Sequence, residues 1–246
     1  MNIHHLSASS ISAFRECPMA FYGKYLHGWE WVSPPLQAQA MAIGTAVHKA
    51  LEAHHSGLDA IAALCQHWGT ITIPMPADTF AKALGLVRCY TADEDHDPRD
   101  IVEREFWLTI PGIPVPFKGY IDLQRGPLLF RDYKTTGSKT WWTQARVDSD
   151  IQLTIYALFL SSECHGAQVT GELHVLRHGA EFEHEVFTTT RNKAQQNEGQ
   201  DSIRETWKEI QKGELNAICK PGRCRFPTKC RSYGYQGVDS IELVVK

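Results

Sequence analysis

The residues best suited to chemistry lie in two segments, Gly119-Tyr120-Ile121-Asp122-Leu123 and Arg131-Asp132-Tyr133-Lys134-Thr135-Thr136. Two carboxylates and an amine so close together suit phosphodiester hydrolysis assisted by a metal ion. Both segments read as strands, and residues two apart on a strand share a face, so Asp132 and Lys134 point the same way. The loop between the strands decides whether Asp122 joins them. A two-residue loop pairs Asp122 with Leu129 and turns Asp132 away. A three-residue loop, Arg125-Gly126-Pro127, pairs Asp122 with Phe130 and brings it to the face of Asp132. Pro127 has no N–H to give a ladder, which places it in the loop and favours the second register. The acids are then diagonal neighbours with Cβ atoms ~7–8 Å apart. Facing acids with nothing between them repel or protonate. An Mg2+ or Mn2+ ion resolves that conflict and offers its remaining positions to water and a phosphate oxygen. Lys134 can orient or help deprotonate the attacking water and offset charge in the transition state. The spacing D-x9-D-x-K is common by chance in solvated hairpins, so the surrounding elements carry the decision.

Those elements read in order. Ser7 to Leu26 forms a first helix, capped at Ser7 or Ser9 and disturbed near Cys17 by Pro18. A second helix, Ala38 to His55, carries Met41, Val47 and Leu51 as apolar positions, with Gly44 and His48 on neighbouring turns. Two more helices, Leu58–Trp68 and Ala77–Tyr90, flank a loop with Pro74 and Pro76. Strands follow at Ile101–Ile110, Val115–Gln124 and Leu128–Thr135, rich in β-branched and aromatic residues. A helix at Val147–Ser162, strands at Val169–Arg177 and Glu181–Thr189, and a polar helix from Asn192 to Lys212 complete the pattern. The expected fold class is α/β, a mixed central sheet flanked by helices. A helical N-terminal part (1–95), a catalytic sheet and helix (100–190) and a C-terminal helix with a cysteine-rich clip (191–246) are read as one domain of 246 residues.

Composition excludes little. The hydrophobic share is 43% and the charged share 22%, ordinary for a globular chain. No apolar run approaches a membrane span, and the N-terminus lacks a basic segment followed by an apolar run, so the expected compartment is the cytoplasm, away from membranes. The net charge is −3, yet Lys220, Arg223, Arg225, Lys229 and Arg231 fall in a stretch without acids. Local charge of that kind is what a nucleic acid meets.

The motifs resemble the PD-(D/E)XK nuclease superfamily, in particular its RecB-like branch, which includes CRISPR-adaptation exonucleases. Gly44-Thr45-Ala46-Val47-His48 is similar to that family's helical motif ending in a metal-contacting histidine. Gly119-Tyr120-Ile121-Asp122 resembles its G-x-x-D strand, Asp132-Tyr133-Lys134-Thr135 its D-Y-K-T strand, and Gln152-Leu153-Thr154-Ile155-Tyr156 its Q-x-x-x-Y helix. The resemblance implies a restriction-endonuclease-like core. His48, Asp122, Asp132 and the Tyr133 carbonyl would ligate Mg2+ or Mn2+, and Lys134 would be the catalytic lysine. Gln152 and Tyr156 would touch the scissile strand or support packing. Glu103 and Glu105, one strand earlier, read as solvated edge residues.

The seven cysteines are an odd number and do not suggest a disulfide scaffold. One early cysteine, Cys17, and three late ones, Cys219, Cys224 and Cys230, resemble the split 4Fe-4S site of the same nucleases. Four thiolates would equally hold zinc. The late spacing here is C-x4-C-x5-C where the family commonly has C-x2-C-x5-C, which bears on Cys219. Cys65, Cys89 and Cys164 read as buried and inert. Trp141-Trp142 reads either as core or as a platform for unpaired bases.

The function implied is a metal-dependent DNA nuclease, in the first place an exonuclease for single strands or free ends. It would serve recombination, repair, phage replication or CRISPR adaptation beside helicase or integration proteins. One rival is a non-catalytic DNA-binding or helicase-associated subunit, which would be expected to lack an acid or the lysine. The other is an endonuclease on the same core, acting on other nucleic acids, RNA included.

Overall fold

Proline at position 18 divides what the pattern reads as one helix. The computed structural model describes residues 3–30 and 33–213. In it α1 (Ala8–Glu16) ends and α2 (Pro18–Tyr25) begins around an extended Cys17. Pro18 sits at a first helical position, where its missing N–H costs no helical bond. Ser7 caps α1 by accepting from the Ser10 N–H, while the Ser10 hydroxyl accepts from the Ser7 N–H. The chain continues through α3 (Pro35–His55), α4 (Ala60–Trp68), α5 (Thr79–Asp93), β1 (Asp100–Leu108), β2 (Phe117–Arg125) and β3 (Leu129–Thr136). After them come α6 (Gln144–Asp148), α7 (Ile151–Glu163), β4 (Val169–His178), β5 (Phe182–Arg191) and α8 (Lys193–Lys212). The helix expected at Val147–Ser162 is thus two. Asp150 is extended between them and its carboxylate caps α7, accepting from the Gln152 and Leu153 N–H groups.

The chain divides into two compact units. One comprises residues 3–30, 106–119 and 194–213. Its core is aromatic, with Phe14, Phe21 and Tyr22 meeting edge to face. α8 is held by the Tyr22 hydroxyl, which donates to the Ile210 carbonyl (2.8 Å), and by Arg15 on Thr206 and Ser202. The other comprises residues 33–105 and 120–193. There Val47, Leu51, Leu64, Leu86 and Val87 of α3–α5 pack with Leu123 and Leu176 of the sheet, all without exposed surface. Burial of each such side chain contributes ~1.5–3 kcal/mol.

The strands lie in the order β1-β2-β3-β4-β5. β2 and β3 are antiparallel, β3 and β4 parallel, β4 and β5 antiparallel, so the sheet is mixed as expected. A parallel pair needs a long crossover, and α6–α7 supply it. The β2–β3 register corrects the sequence reading. Leu123 pairs with Arg131 and Gln124 with Phe130, which sets Asp122 opposite Asp132 rather than Phe130. The loop is three residues long as expected, but it is Gly126-Pro127-Leu128, since β2 runs through Arg125 and β3 begins at Leu129. Gly126 takes the left-handed turn (φ 71°). Sliding the loop by one residue moves the register by two, which preserves the shared face and brings the acids closer.

Four apolar expectations also change. Met41 is 55% exposed. Cys65 is exposed, because α4 buries Ala60 and Leu64 and the next residue turns ~100° away. Cys89 and Cys164 are only half-buried. Among the described residues, no helix is long and apolar enough to cross a membrane.

Candidate active site

Alternation along β3 sends the Tyr133 side chain into the core and Asp132 and Lys134 to the opposite face. The Asp132 side chain is 1% exposed, and Lys134 Nζ stands 2.6 Å from its Oδ2. Neither carboxylate oxygen of Asp132 receives a well-aligned hydrogen bond among the described residues. A buried acceptor left in that state is uncommon and calls for an explanation. Asp122, across the pair, accepts from the Tyr133 N–H at 2.8 Å. Burial, reinforced by the charge of Asp132, pushes the Asp122 carboxyl up to about 8. Burial opposes the Lys134 ammonium, but Asp132 and Asp122 together hold its pKa above the ordinary value.

His48 reaches this cluster from α3. Its Nε2 is 2.9 Å from the Tyr133 carbonyl and its Nδ1 3.6 Å from Asp122 Oδ2. Burial lowers its pKa below the ordinary imidazole value, which favours the neutral ring. The approach depends on Gly44, one turn earlier on α3. A Cβ there would stand 3.2 Å from Thr135 Oγ1 of β3, so the glycine lets the helix lie close to the strand. From α7, Gln152 accepts from Lys134 Nζ (3.1 Å) and donates through Nε2 to the Tyr156 hydroxyl (2.6 Å). The Tyr156 ring meets Phe130 edge to face at 5.5 Å.

His48, Asp122, Asp132, Tyr133, Lys134, Gln152 and Tyr156 are therefore brought together. Cys17 stands at the α1–α2 junction, whereas Cys219, Cys224 and Cys230 lie outside the described residues. Trp141 is 51% exposed, with the Arg146 guanidinium 3.8 Å from its ring centroid, so it is not core. Glu105 is exposed as expected and accepts from the Tyr120 hydroxyl (2.6 Å).

Two further acids belong to this neighbourhood. Glu103 is half-buried rather than a solvated edge residue, and its charge bears on His48, Asp122 and Tyr156. Its backbone is left-handed (φ 47°), a strained state for a non-glycine residue inside a strand. No motif announced it. Asp150 bears on Asp132 and Lys134, and burial raises its pKa. Its place before the apolar run of α7 is the signal that could have found it.

One lysine between two buried acids, and the raised carboxyl of Asp122, mark a shortage of positive charge. Two carboxylates, a carbonyl and an imidazole are a donor set that suits Mg2+ or Mn2+. The sequence matches the PD-(D/E)XK nuclease superfamily over residues 5–231. No curated protein matches it. Among solved structures, a protein from Eubacterium rectale provisionally described as an exonuclease aligns with a TM-score of 0.64 at 14% identity, over 99% of this chain and 92% of that one. That likeness bears on the fold, which is restriction-endonuclease-like. The structure of SSO0001 aligns with a TM-score of 0.33 at 15% identity, over 68% of this chain and 72% of that one.

Proposed function

We propose, from the premise that this chain belongs to the PD-(D/E)XK nuclease superfamily, that it is a metal-dependent DNA nuclease working as an exonuclease. The observation that carries the reading is the Asp132 carboxylate. It is buried beside Asp122, with the Lys134 ammonium 2.6 Å from Oδ2 and no other polar partner for its oxygens among the described residues. A fold without a use for that charge would neutralise it or replace it. Asp122, Asp132, the Tyr133 carbonyl and His48 would hold Mg2+ or Mn2+. Such an ion supplies Lewis acidity toward a phosphate oxygen and acidifies water.

The chain's own groups supply the rest. The Tyr133 N–H fixes the rotamer of Asp122. Lys134, 30% exposed, is the cation of the cluster that solvent and substrate can reach. It orients the attacking water and donates to the oxygen on which charge builds. Gln152 holds the ammonium in place from α7 and is itself held by Tyr156. Both are positioning residues in this account. Glu103 adds a third carboxylate, able to accept a proton from water. Trp141 and Arg146 offer an aromatic face and a cation for unpaired bases, which favours single strands or frayed ends.

The RecB-like branch, and a 4Fe-4S cluster or zinc at Cys17, Cys219, Cys224 and Cys230, complete the proposal on the sequence resemblance. So do helicase or recombination partners. Digestion of linear and circular single-stranded DNA, labelled at the 5′ or 3′ end, tests the mode. Mononucleotide release from linear DNA alone is expected. Equal cutting of circles would overturn the exonuclease reading and leave an endonuclease.

A further inference from the structure

A second cluster on the other face of β3 poses a problem of protons. His174 of β4 and His184 of β5 are diagonal neighbours, since Leu176 pairs with His184 and His174 with Val186. His174 Nε2 lies 3.3 Å from Glu172 Oε2. An ionised carboxylate only accepts, so that nitrogen carries the proton and Nδ1 keeps a lone pair. His184 Nδ1 lies 3.0 Å from Asp93 Oδ2, so by the same reasoning Nε2 keeps its lone pair. These two lone-pair nitrogens face each other at 2.9 Å. Such a contact needs a proton or a metal ion between them. The carboxylate of Glu94, just past the end of α5, is the third member. One ligand atom from each of the three residues lies within 4.8 Å of the others.

The surrounding acids draw a cation to this gap. Asp93, Glu94 and Glu172, counted as ionised, surround the Arg131 guanidinium, which binds Glu94 Oε2 (2.8 Å) and Glu172 Oε2 (2.7 Å). The Asp93 side chain is 56% exposed and screened by water, so the buried surplus is nearer one negative charge. The Glu94 carboxylate beside the two lone pairs supplies the third ligand that a metal ion needs and a shared proton does not.

We infer that Glu94, His174 and His184 form a zinc site, with Glu172 and Asp93 orienting the two rings. Two imidazoles and a carboxylate with one open position are a zinc ligand set, and ligating histidines usually give their other N–H to a carboxylate. Bonds of ~2.0–2.1 Å at tetrahedral angles put ligand nitrogens ~3.3 Å apart, so the rings need to part by only a few tenths of an ångström. The site would clasp the end of α5 to β4 and to β5, the last strand of the sheet.

The test uses the full chain, stripped by chelator and reloaded with Zn2+ or Co2+ under excess Mg2+, which occupies hard-ligand positions. Wild type is compared with His184→Asn and Asp93→Asn. Zinc should raise the melting temperature of wild type by several degrees more than that of His184→Asn, because any zinc held by the cysteines stabilises both proteins alike. Asp93→Asn should bind zinc ~10–100-fold more weakly. Co2+ should give visible d–d bands that His184→Asn removes, while any thiolate-to-cobalt band from the cysteines persists in both proteins. The inference is overturned if His184→Asn retains all the zinc and the wild-type cobalt spectrum. It is equally overturned if zinc moves the two melting temperatures alike or not at all; the pair would then share a proton.

Discussion

The cluster around Asp132 and the polar network around Asp100 lie in one compact unit and both involve buried acids, yet they handle charge in opposite ways. The Asp100 side chain is fully buried and satisfied. Arg125 binds it through Nε and Nη2 (2.8 and 2.7 Å), and His55 Nδ1 lies 2.8 Å away. The network runs on from His55 to the Tyr90 hydroxyl and from there to Tyr133 (2.7 and 3.0 Å). Asp132 is as deeply buried, but it has a single lysine for company and no aligned hydrogen bond. A satisfied acid contributes to stability, whereas an unsatisfied one is tolerated for what it does. The difference separates scaffold from site without reference to any motif.

The largest effect that could break this contrast is at Asp132. Asp132→Asn should lower DNA cleavage by ~10³-fold or more. The same variant, melted in EDTA, should be as stable as wild type or more so, because a buried charge has been removed. Marked destabilisation would move Asp132 to the scaffold side. Asp100→Ala should do the reverse, costing about 3–5 kcal/mol in urea unfolding because Arg125 and His55 lose their shared partner.

Acid unfolding sharpens the same point. Burial pulls the His55 pKa down to about 4, against the opposing pull of Asp100. The unfolded chain therefore takes up a proton near pH ~6.5, where the native ring does not. This contribution to stability is complete above that pH and is lost as the pH falls toward about 4. Urea midpoints between those pH values should decline in wild type and decline less in His55→Gln.

Smaller effects follow at the margins of the site. Glu103→Gln should reduce cleavage ~10–100-fold with little change in melting temperature. Lost stability with full activity would make it scaffold. Gly44→Ala adds helix propensity of ~1 kcal/mol but presses on Thr135, so its melting temperature should hardly move. Its cleavage rate should fall several-fold as His48 is displaced; an unchanged rate would mean that His48 needs no such close packing.

Much of the site was legible because a strand of period two and a helix of period 3.6 convert spacing into direction. Asp132 with Lys134, and Gln152 with Tyr156, needed nothing more. The Asp122 register did not follow so simply, because Gly126-Pro127-Leu128 and Arg125-Gly126-Pro127 are both acceptable loops and only packing chooses between them. Glu103 depends on a backbone strain that no residue type declares. Glu94, His174 and His184 were illegible for another reason: they come from the residue after α5, from β4 and from β5, and only the folded sheet gathers them.

The central claim is that Asp122, Asp132 and Lys134 form one hydrolytic surface. The most direct measurement is single-turnover cleavage of end-labelled DNA by wild type and Lys134→Ala in Mg2+, Mn2+ or EDTA. Wild type should cleave only with the divalent ion, and the variant should not cleave above background. Cleavage in EDTA, or equal rates for the two proteins, would contradict the claim.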